Sequence, residues 1–356
     1  MTTEVELVGD SLKLPGQVEV TFVRTLRLPE TGTFPLPPGL GSFPLRRVAD
    51  YCEAVPEEWR ERGGVMLPVY QREGMWLEFF ARSPAALKVG VGKVCAISGQ
   101  PWSEALVGEP QNYVPLPQQP WLDGINSGAG TIRQFVAMPL GLGATVEGQV
   151  TGSEQWGGVQ LAVHTLTQAA RATLEAEQRA FRHRDHRYAP EPLDDDDDVD
   201  VLSFMLRGPA PSRAGSAAAI DPPSPGSASI RRARALGLGA GGTMRQQIYT
   251  DPRPVTDYRS EADGRIFVHL VSAAEWQEIT GEPAPSTPVT AHSYAEHGLP
   301  WFDYYDSDAE DLPPSDDLAD VRPTGDWLTD EGHNPVLDQP LPVIQLGKLP
   351  VQDGKW

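Results

Sequence analysis

Long apolar runs and cysteines are both scarce in this 356-residue chain. No stretch of about 18 apolar residues is present, which excludes a transmembrane helix. The opening residues, MTTEVELVGD, are acidic and lack the basic and apolar regions of a signal peptide. Cys52 and Cys95 are the only cysteines, too few for a disulfide scaffold or a four-cysteine zinc site. We therefore expect a soluble, reduced, cytoplasmic protein that does not insert into membranes.

Basic residues are also in short supply, and the deficit is uneven. The formal net charge is −20, and residues 190–200 and 296–331 together carry −18 of it. The rest of the chain is nearly neutral. Because acidic runs repel phosphate, nucleic acid is excluded as an expected partner. The ordinary interpretation of both blocks is a solvated linker and a solvated tail.

Turn-forming residues are abundant, since Gly 35 and Pro 35 make up about a fifth of the chain. Few long helices are expected with that composition. Residues 17–28, QVEVTFVRTLRL, alternate inward Val18, Val20 and Phe22 with polar neighbours, which is typical of a half-buried strand. Further strands are predicted at 65–70, 75–80, 86–97, 131–138, 144–150 and 158–166. We predict a mainly β (α+β) fold with a few helices.

Composition divides the chain into five parts. Residues 1–167 are predicted to form a β-rich domain resembling a β-sandwich or an open barrel. Residues 168–187 read as a helix with Thr167 as its N-cap. An acidic, Pro/Ser/Ala-rich linker is expected at 188–230. The fourth part, 231–312, is predicted to be a smaller α/β region with strands at 243–249 and 265–271 and a Ser272–Glu275 capping box. The fifth part, 313–356, is an acidic, Pro-rich tail.

One short pattern occurs twice in the sequence. GTIRQFV at 130–136 returns as GTMRQQI at 242–248, with four of seven residues identical, but the flanking residues do not match. The pattern is therefore not a duplicated domain. Adjacent residues on a strand point to opposite faces, so one member of each Arg-Gln pair should face the packed side. The candidate binding residues are Arg133, Gln134, Arg245 and Gln246. Two interpretations stay open. In the first, the Arg-Gln pairs form a structural salt bridge or a loop clamp; in the second, the two arginines bind an anion.

The densest group of aromatic and acidic side chains follows the second copy. It comprises Trp301, Asp303, Tyr304, Tyr305 and Asp306. Aromatic rings favour burial, so this segment needs a surface to pack on. We expect the two Gly-Thr-x-Arg-Gln strands to lie near each other, with their arginines binding this segment. The segment comes from the same chain or from a second copy, which predicts a homo-oligomer or a protein partner.

Catalytic motifs fail when they are tested against their required context. Gly237, Gly239 and Gly242 fit G-x-G-x-x-G, but a strand is expected after them where a dinucleotide site needs a helix. Neither G-x-S-x-G nor H-E-x-x-H occurs. We predict no catalytic residue, no cofactor and no metal, and hence a noncatalytic binding or self-assembly protein. The alternative is a hydrolase with an acidic and histidine-lined cleft, built from Asp123, Glu147, His164 and His269.

Four segments also carry a resemblance to a known family. They are ALKVGVGKVCAISGQPW (86–102), PWLDGINSGAGTIRQFVAMPLGLGATVEGQVTG (120–152), GLGAGGTMRQQIYTDP (237–252) and GLPWFDYYD (298–306). Together they resemble a family of soluble proteins from actinobacteria and filamentous fungi that has no assigned activity. The resemblance covers most of residues 16–310 without the linker and the tail. It implies one shared architecture, and no catalytic residue follows from it.

Overall fold

The computed structural model describes residues 5–128, 130–185, 235–286, 315–322, 350–351 and 353–356. The strands in these ranges are β1 (Val5–Val8), β2 (Ser11–Leu14), β3 (Val18–Thr25), β4 (Thr33–Phe34), β5 (Gly39–Ser42), β6 (Arg46–Arg47), β7 (Val65–Val69), β8 (Gly74–Ala81), β9 (Ala85–Val91), β10 (Val94–Cys95), β11 (Val114–Leu116), β12 (Trp121–Leu122), β13 (Gly124–Gly128), β14 (Thr131–Pro139), β15 (Val159–Thr165), β16 (Ala235–Arg245), β17 (Gly264–Ser272) and β18 (Pro350–Val351). The helices are α1 (Glu57–Arg62), α2 (Val146–Thr151), α3 (Gln168–Asp185), α4 (Ala273–Thr280) and α5 (Asp316–Ala319).

Most of these strands join one large, open and mainly antiparallel sheet, which confirms the predicted mainly β fold. Within this sheet, eight strands pair side by side in the order β2–β3–β8–β14–β16–β17–β15–β9. Strand β1 pairs with β2 and β18 at one end. Two short strands run parallel to their partners, β4 beside β16 and β7 beside β17.

Strands from the C-terminal part of the chain lie between strands from its N-terminal part in the same sheet. Strand β16 lies between β14 and β17, and β17 also pairs with β15 and β7. The strands of the predicted 231–312 region therefore lie in the same sheet as those of the predicted 1–167 domain. Contacts between residues divide the chain into two compact units. The first unit comprises Met1–Arg171 and Arg232–Trp356. The second comprises Ala172–Arg231, of which the structure describes only the helical residues up to Asp185.

The core follows the strand period that the sequence shows. Val18, Val20 and Phe22 on β3 are at most 1% exposed, as the alternation predicts. The main cluster combines apolar side chains from most of the sheet. A second cluster, built around Trp59 and Trp276, packs α1 and α4 against β7 and β17. The sheet is therefore covered on this side by two short helices.

The predicted strand over 144–150 is wrong, because these residues form α2. The Thr145 hydroxyl accepts a hydrogen bond from Gly148 N at 3.0 Å, and Gly152 ends the helix in the left-handed conformation. Val146 and Val150 are four apart, so they share a helix face as well as a strand face. Their alternation alone did not distinguish the two structures.

The strand predicted at 243–249 begins eight residues earlier and ends at Arg245. The glycine-rich residues that precede the predicted strand form the first half of β16. A Cβ on Gly241 would lie 2.5 Å from Val136 Cγ2, and one on Gly242 would lie 2.1 Å from Pro29 O. Glycine is needed here because other segments of the same chain pass close to the strand. The residues next to these glycines in the sequence do not indicate this close approach.

The predicted single strand over 86–97 is a hairpin of β9 and β10. Gly92 and Lys93 connect the two strands, with φ of 57° and 63°. Positive φ at both central residues is the geometry that joins adjacent antiparallel strands tightly. The turn therefore projects Lys93 from the end of the hairpin.

Both predicted helix caps are confirmed. Thr167 Oγ1 accepts a hydrogen bond from Ala170 N at 3.2 Å at the start of α3. The Ser272 hydroxyl accepts from Glu275 N at 3.3 Å and donates to the Glu275 carboxylate at 2.7 Å, which is a capping box. Gly281, with φ of 72°, ends α4.

Candidate functional site

The two copies of the repeated pattern pair with each other. In the antiparallel ladder of β14 and β16, Thr131 lies opposite Arg245 and Arg133 lies opposite Thr243. The expectation that the two strands lie near each other is thus confirmed. Opposed residues share a face of the sheet, so both arginines project to one side. Ile132 and Met244, at most 1% exposed, project to the other.

The glutamines of the two copies are buried and bind backbone. Gln134 accepts a hydrogen bond from Leu28 N at 2.9 Å and donates to Leu26 O at 2.8 Å. Gln246 accepts from Asp123 N at 3.0 Å and donates to Trp121 O at 3.2 Å. Each amide bonds one backbone N–H and one backbone carbonyl in place of a strand partner, and Trp121 O accepts a second hydrogen bond from Gln119 Nε2 at 3.0 Å. This geometry is that of a loop clamp.

Two more buried glutamines use the same geometry on the chain that follows β16. Gln119 accepts from Tyr249 N at 3.0 Å and donates to Gln247 O at 3.2 Å. Gln111 accepts from Asp251 N at 2.8 Å and donates to Tyr249 O at 3.0 Å. Together with Gln246, they fasten residues 246–251 to residues 111–123. Sequence reasoning missed both, because these backbone partners lie more than 120 residues away along the chain.

The arginines lie on the outer side of these clamps. Arg245 is exposed and Arg133 is half-buried. Beside Arg245 is a shallow pocket lined by Leu36, Gln119, Pro120, Trp121, Arg245, Gln246, Gln247 and Tyr249. Within the part of the chain that the structure describes, the buried Oε1 of Gln247 accepts no hydrogen bond. The pocket is therefore bordered by a guanidinium, an indole and several amide side chains. We call Thr131, Arg133, Thr243 and Arg245 the arginine face.

The docking segment predicted from the sequence cannot be placed on this face. Trp301, Asp303, Tyr304, Tyr305 and Asp306 all lie outside the described residues. Their binding to the arginines stays a prediction.

The two acidic candidates of the hydrolase alternative have different surroundings. Glu147 Oε1 accepts hydrogen bonds from Gln155 N at 2.8 Å and Trp156 N at 2.9 Å, so this carboxylate anchors a loop. Asp123 is fully buried, and burial raises its pKa well above the ordinary value, outweighing the opposing contribution of Trp121. Burial therefore favours the protonated form of the Asp123 carboxyl.

The two histidine candidates are buried and neutral. His164 Nδ1 lies 2.9 Å from Arg259 O, and burial lowers the pKa of this imidazole. His269 Nε2 lies 3.0 Å from Gly63 O, and burial lowers its pKa to about 3. The His269 ring packs against Trp59 and Phe267, with centroid distances of 4.6 and 4.5 Å. Both rings thus serve as packed hydrogen-bonding groups.

The structure does not bring these four candidates together. Among the described residues, no hydrogen bond, ion pair or ring contact joins any two of Asp123, Glu147, His164 and His269. In the β15–β17 pair, Val163 faces Gly264 and Val159 faces Val268, which places the two histidines at opposite ends. The four residues do not form one cleft.

Comparison with known proteins gives no relative for this chain. No family model, no curated protein and no solved structure matches it. The resemblance to an actinobacterial and fungal family therefore stays a prediction. Over the described ranges, none of the helices has the length and apolar character needed to cross a bilayer.

Proposed function

We propose that this chain is a noncatalytic binding or self-assembly protein of the cytoplasm, and that its arginine face recognises an acidic protein segment. One observation carries the proposal: the pairing of β14 with β16 sets Arg133 and Arg245 on one side, while their glutamine neighbours fix the backbone beneath. Side chains on clamped strands are held in place before a partner arrives, which lowers the entropic cost of binding.

The geometry of the arginine face suits carboxylates. Diagonal neighbours in an antiparallel pair lie about 7–8 Å apart, a distance within reach of two long side chains. Like charges at that distance repel each other, so a carboxylate between or beside them is favourable. A guanidinium also binds a carboxylate through two parallel hydrogen bonds. The face therefore selects acid groups by charge and by shape.

The pocket beside Arg245 adds an apolar requirement. Trp121 and Leu36 line it, and they offer contact area to an aromatic ring. A partner segment with aromatic and acidic residues in turn fits both features. Residues 301–306 of this chain, WFDYYD, have that chemistry. We propose them as the partner segment, supplied in cis or by a second copy.

A peptide titration tests the proposal. The receptor is the full chain with Asp303→Ala, Tyr304→Ala and Asp306→Ala, so that its own segment does not compete. The probe is a fluorescent peptide of residues 298–311. We expect saturable binding, and Arg245→Ala in the receptor should weaken it at least about fivefold, since a charged hydrogen-bonded pair is lost. Arg82→Ala removes the same charge from the exposed β8–β9 loop and should change binding little. Equal affinity for all three receptors would refute the arginine face.

A further inference from the structure

The last residues of the sequence occupy a site built from aromatic rings and cations. The Trp356 ring lies beneath two cations, with Arg265 Cζ 4.7 Å and Lys93 Nζ 4.9 Å from the ring centroid. Two aromatic rings flank it, Trp102 at 5.8 Å and Phe267 at 6.0 Å between centroids. We call Lys93, Trp102, Arg265 and Phe267 the tail cage. Among cation–π contacts, a cation over the face of an indole is the most favourable.

Asp353 fixes the same segment by polar contacts. Its Oδ2 accepts a hydrogen bond from Arg265 Nε at 3.0 Å, and its Oδ1 accepts one from Trp356 Nε1 at 2.7 Å. One carboxylate thus bridges the cage cation and the inserted indole. The segment binds through charge and through the orientation of its ring.

The backbone of the segment also fits closely. Lys355 N donates to Glu61 O at 3.0 Å. A Cβ on Gly354 would lie 2.2 Å from Glu61 O, so only glycine allows this approach. Upstream, β18 pairs with β1 through Val351 opposite Val5. A strand added to the edge of a sheet, followed by a side chain in a specific pocket, is a general mode of peptide recognition.

The chemistry of the segment suits the cations of the tail cage. Burial lowers the pKa of Lys93; the Glu104 carboxylate opposes this shift, and the neighbouring Arg265 and Arg62 add to it. Three cations therefore share a small, partly desolvated surface. The Trp156 ring and the Glu104 carboxylate, which lies 3.0 Å from Arg265 Nη1, offset part of their repulsion. Trp356 and Asp353 of the segment add a second aromatic face and a second carboxylate.

We propose that the tail cage is an exchangeable docking site that residues 350–356 of a second copy can fill, so that two copies assemble by trading these segments. Apart from the Trp356–Asp353 hydrogen bond within the segment, every contact described above joins the segment to residues at least 80 positions away in sequence, so either copy can supply the segment. Residues 323–349 separate the segment from the preceding described residues, and 27 residues span at most about 90 Å. That reach includes a neighbouring copy. Exchange of identical segments is a low-cost route to a dimer.

Two full-length variants test the exchange by complementation. The tail variant carries Asp353→Ala and Trp356→Ala and keeps its cage. The cage variant carries Lys93→Asn and Arg265→Gln and keeps its tail; asparagine suits the positive φ at position 93. Sedimentation velocity over roughly 1–200 µM, at equal far-UV circular dichroism, measures association. Lys13→Asn on exposed β2 is the matched control.

The expected result is a concentration-dependent dimer for the unmodified chain and the control, and monomers for each variant alone. An equimolar mixture of the two variants should dimerise, because it contains one intact cage and one intact tail. A monomeric unmodified chain, or a dimer that persists in both variants, would overturn the exchange and leave the arginine face unaffected. If a variant does not fold, a peptide of residues 348–356 replaces it. That peptide should dissociate the dimer at a concentration at least about tenfold lower than its Trp356→Ala form, and equal potency would refute the proposal.

Discussion

Arg245 lies directly opposite Thr131 in the antiparallel pair of β14 and β16. The repeated pattern is therefore a pair of neighbouring strands that present the same residues in opposite directions. The relationship explains why each copy needs both polar residues. The glutamine clamps a loop through its backbone, and the arginine projects from the other face of the strand pair.

The clamps predict a large difference in stability between adjacent residues. Gln246→Ala should lower the free energy of unfolding by about 1–3 kcal/mol, because it leaves Asp123 N buried without its partner, whereas Trp121 O keeps the hydrogen bond from Gln119 Nε2. Arg245→Ala, on the exposed side, should change it by about 0.5 kcal/mol or less. Urea denaturation measures both. Similar losses for the two variants would mean that the amide is not a clamp.

The glycines of β16 predict a steric result. Gly242→Ala places a Cβ about 2 Å from Pro29 O in the native backbone, so the strand or the loop must move. We expect a loss of about 3 kcal/mol or more, comparable to other severe core substitutions. The matched control is Gly108→Ala, whose new Cβ would have Val255 as its nearest contact at 3.7 Å. Thermal denaturation measures the stability of both variants. An unchanged melting temperature for Gly242→Ala would contradict the close approach of Pro29 to β16.

Asp123 predicts a stability that declines toward neutral pH. Its folded pKa is raised by burial, so the folded chain holds this proton in a range where the unfolded chain releases it. The contribution is complete below the unfolded pKa of about 3.9 and is lost as pH rises. Asp123→Asn should remove this decline, and Glu53→Gln, at an exposed position, should leave it in place. The measurement is unfolding free energy from pH 4 to 8, compared between variant and parent. A parallel pair of curves would contradict a buried, neutral Asp123.

His269 predicts the opposite slope on the acid side. Its folded pKa is about 3, so between pH 6.5 and that value only the unfolded chain binds the proton. Stability should fall as pH falls, by about 1.4 kcal/mol per pH unit from this residue. His269→Gln keeps a donor for Gly63 O and cannot titrate in this range. Its absolute stability should be lower, but its slope between pH 6 and 4 should be shallower by that amount; an unchanged slope would show that His269 titrates normally.

Local patterns predicted those elements whose periodicity reflects burial on one face. The alternation of Val18, Val20 and Phe22 identified β3, and Ser272 with Glu275 identified the start of α4. Both signals arise within a few residues. The short helix α2 was missed since Val146 and Val150 satisfy two periods at once.

The remaining features depend on contacts between distant residues. The glycines of β16 are required by Pro29 and Val136, and Gln111 and Gln119 act on backbone more than 120 residues away. Nothing near Trp356 in the sequence indicates that Lys93 and Arg265 lie above its ring. The arginine pair was predicted because its pattern occurs twice, whereas the tail cage has no repeated signal.

The central claim is that Arg245 pairs with an acid of the partner segment, and a charge exchange tests it most directly. The receptor is the full chain with its own segment substituted as above, with Arg245 or with Arg245→Glu, and the probe is the 298–311 peptide or its Asp303→Lys, Asp306→Lys form. We predict tight binding for the two complementary combinations, weak binding for the two matched in charge, and a coupling free energy of about 1 kcal/mol or more across the cycle. No binding by the natural pair, or four equal dissociation constants, would contradict the account.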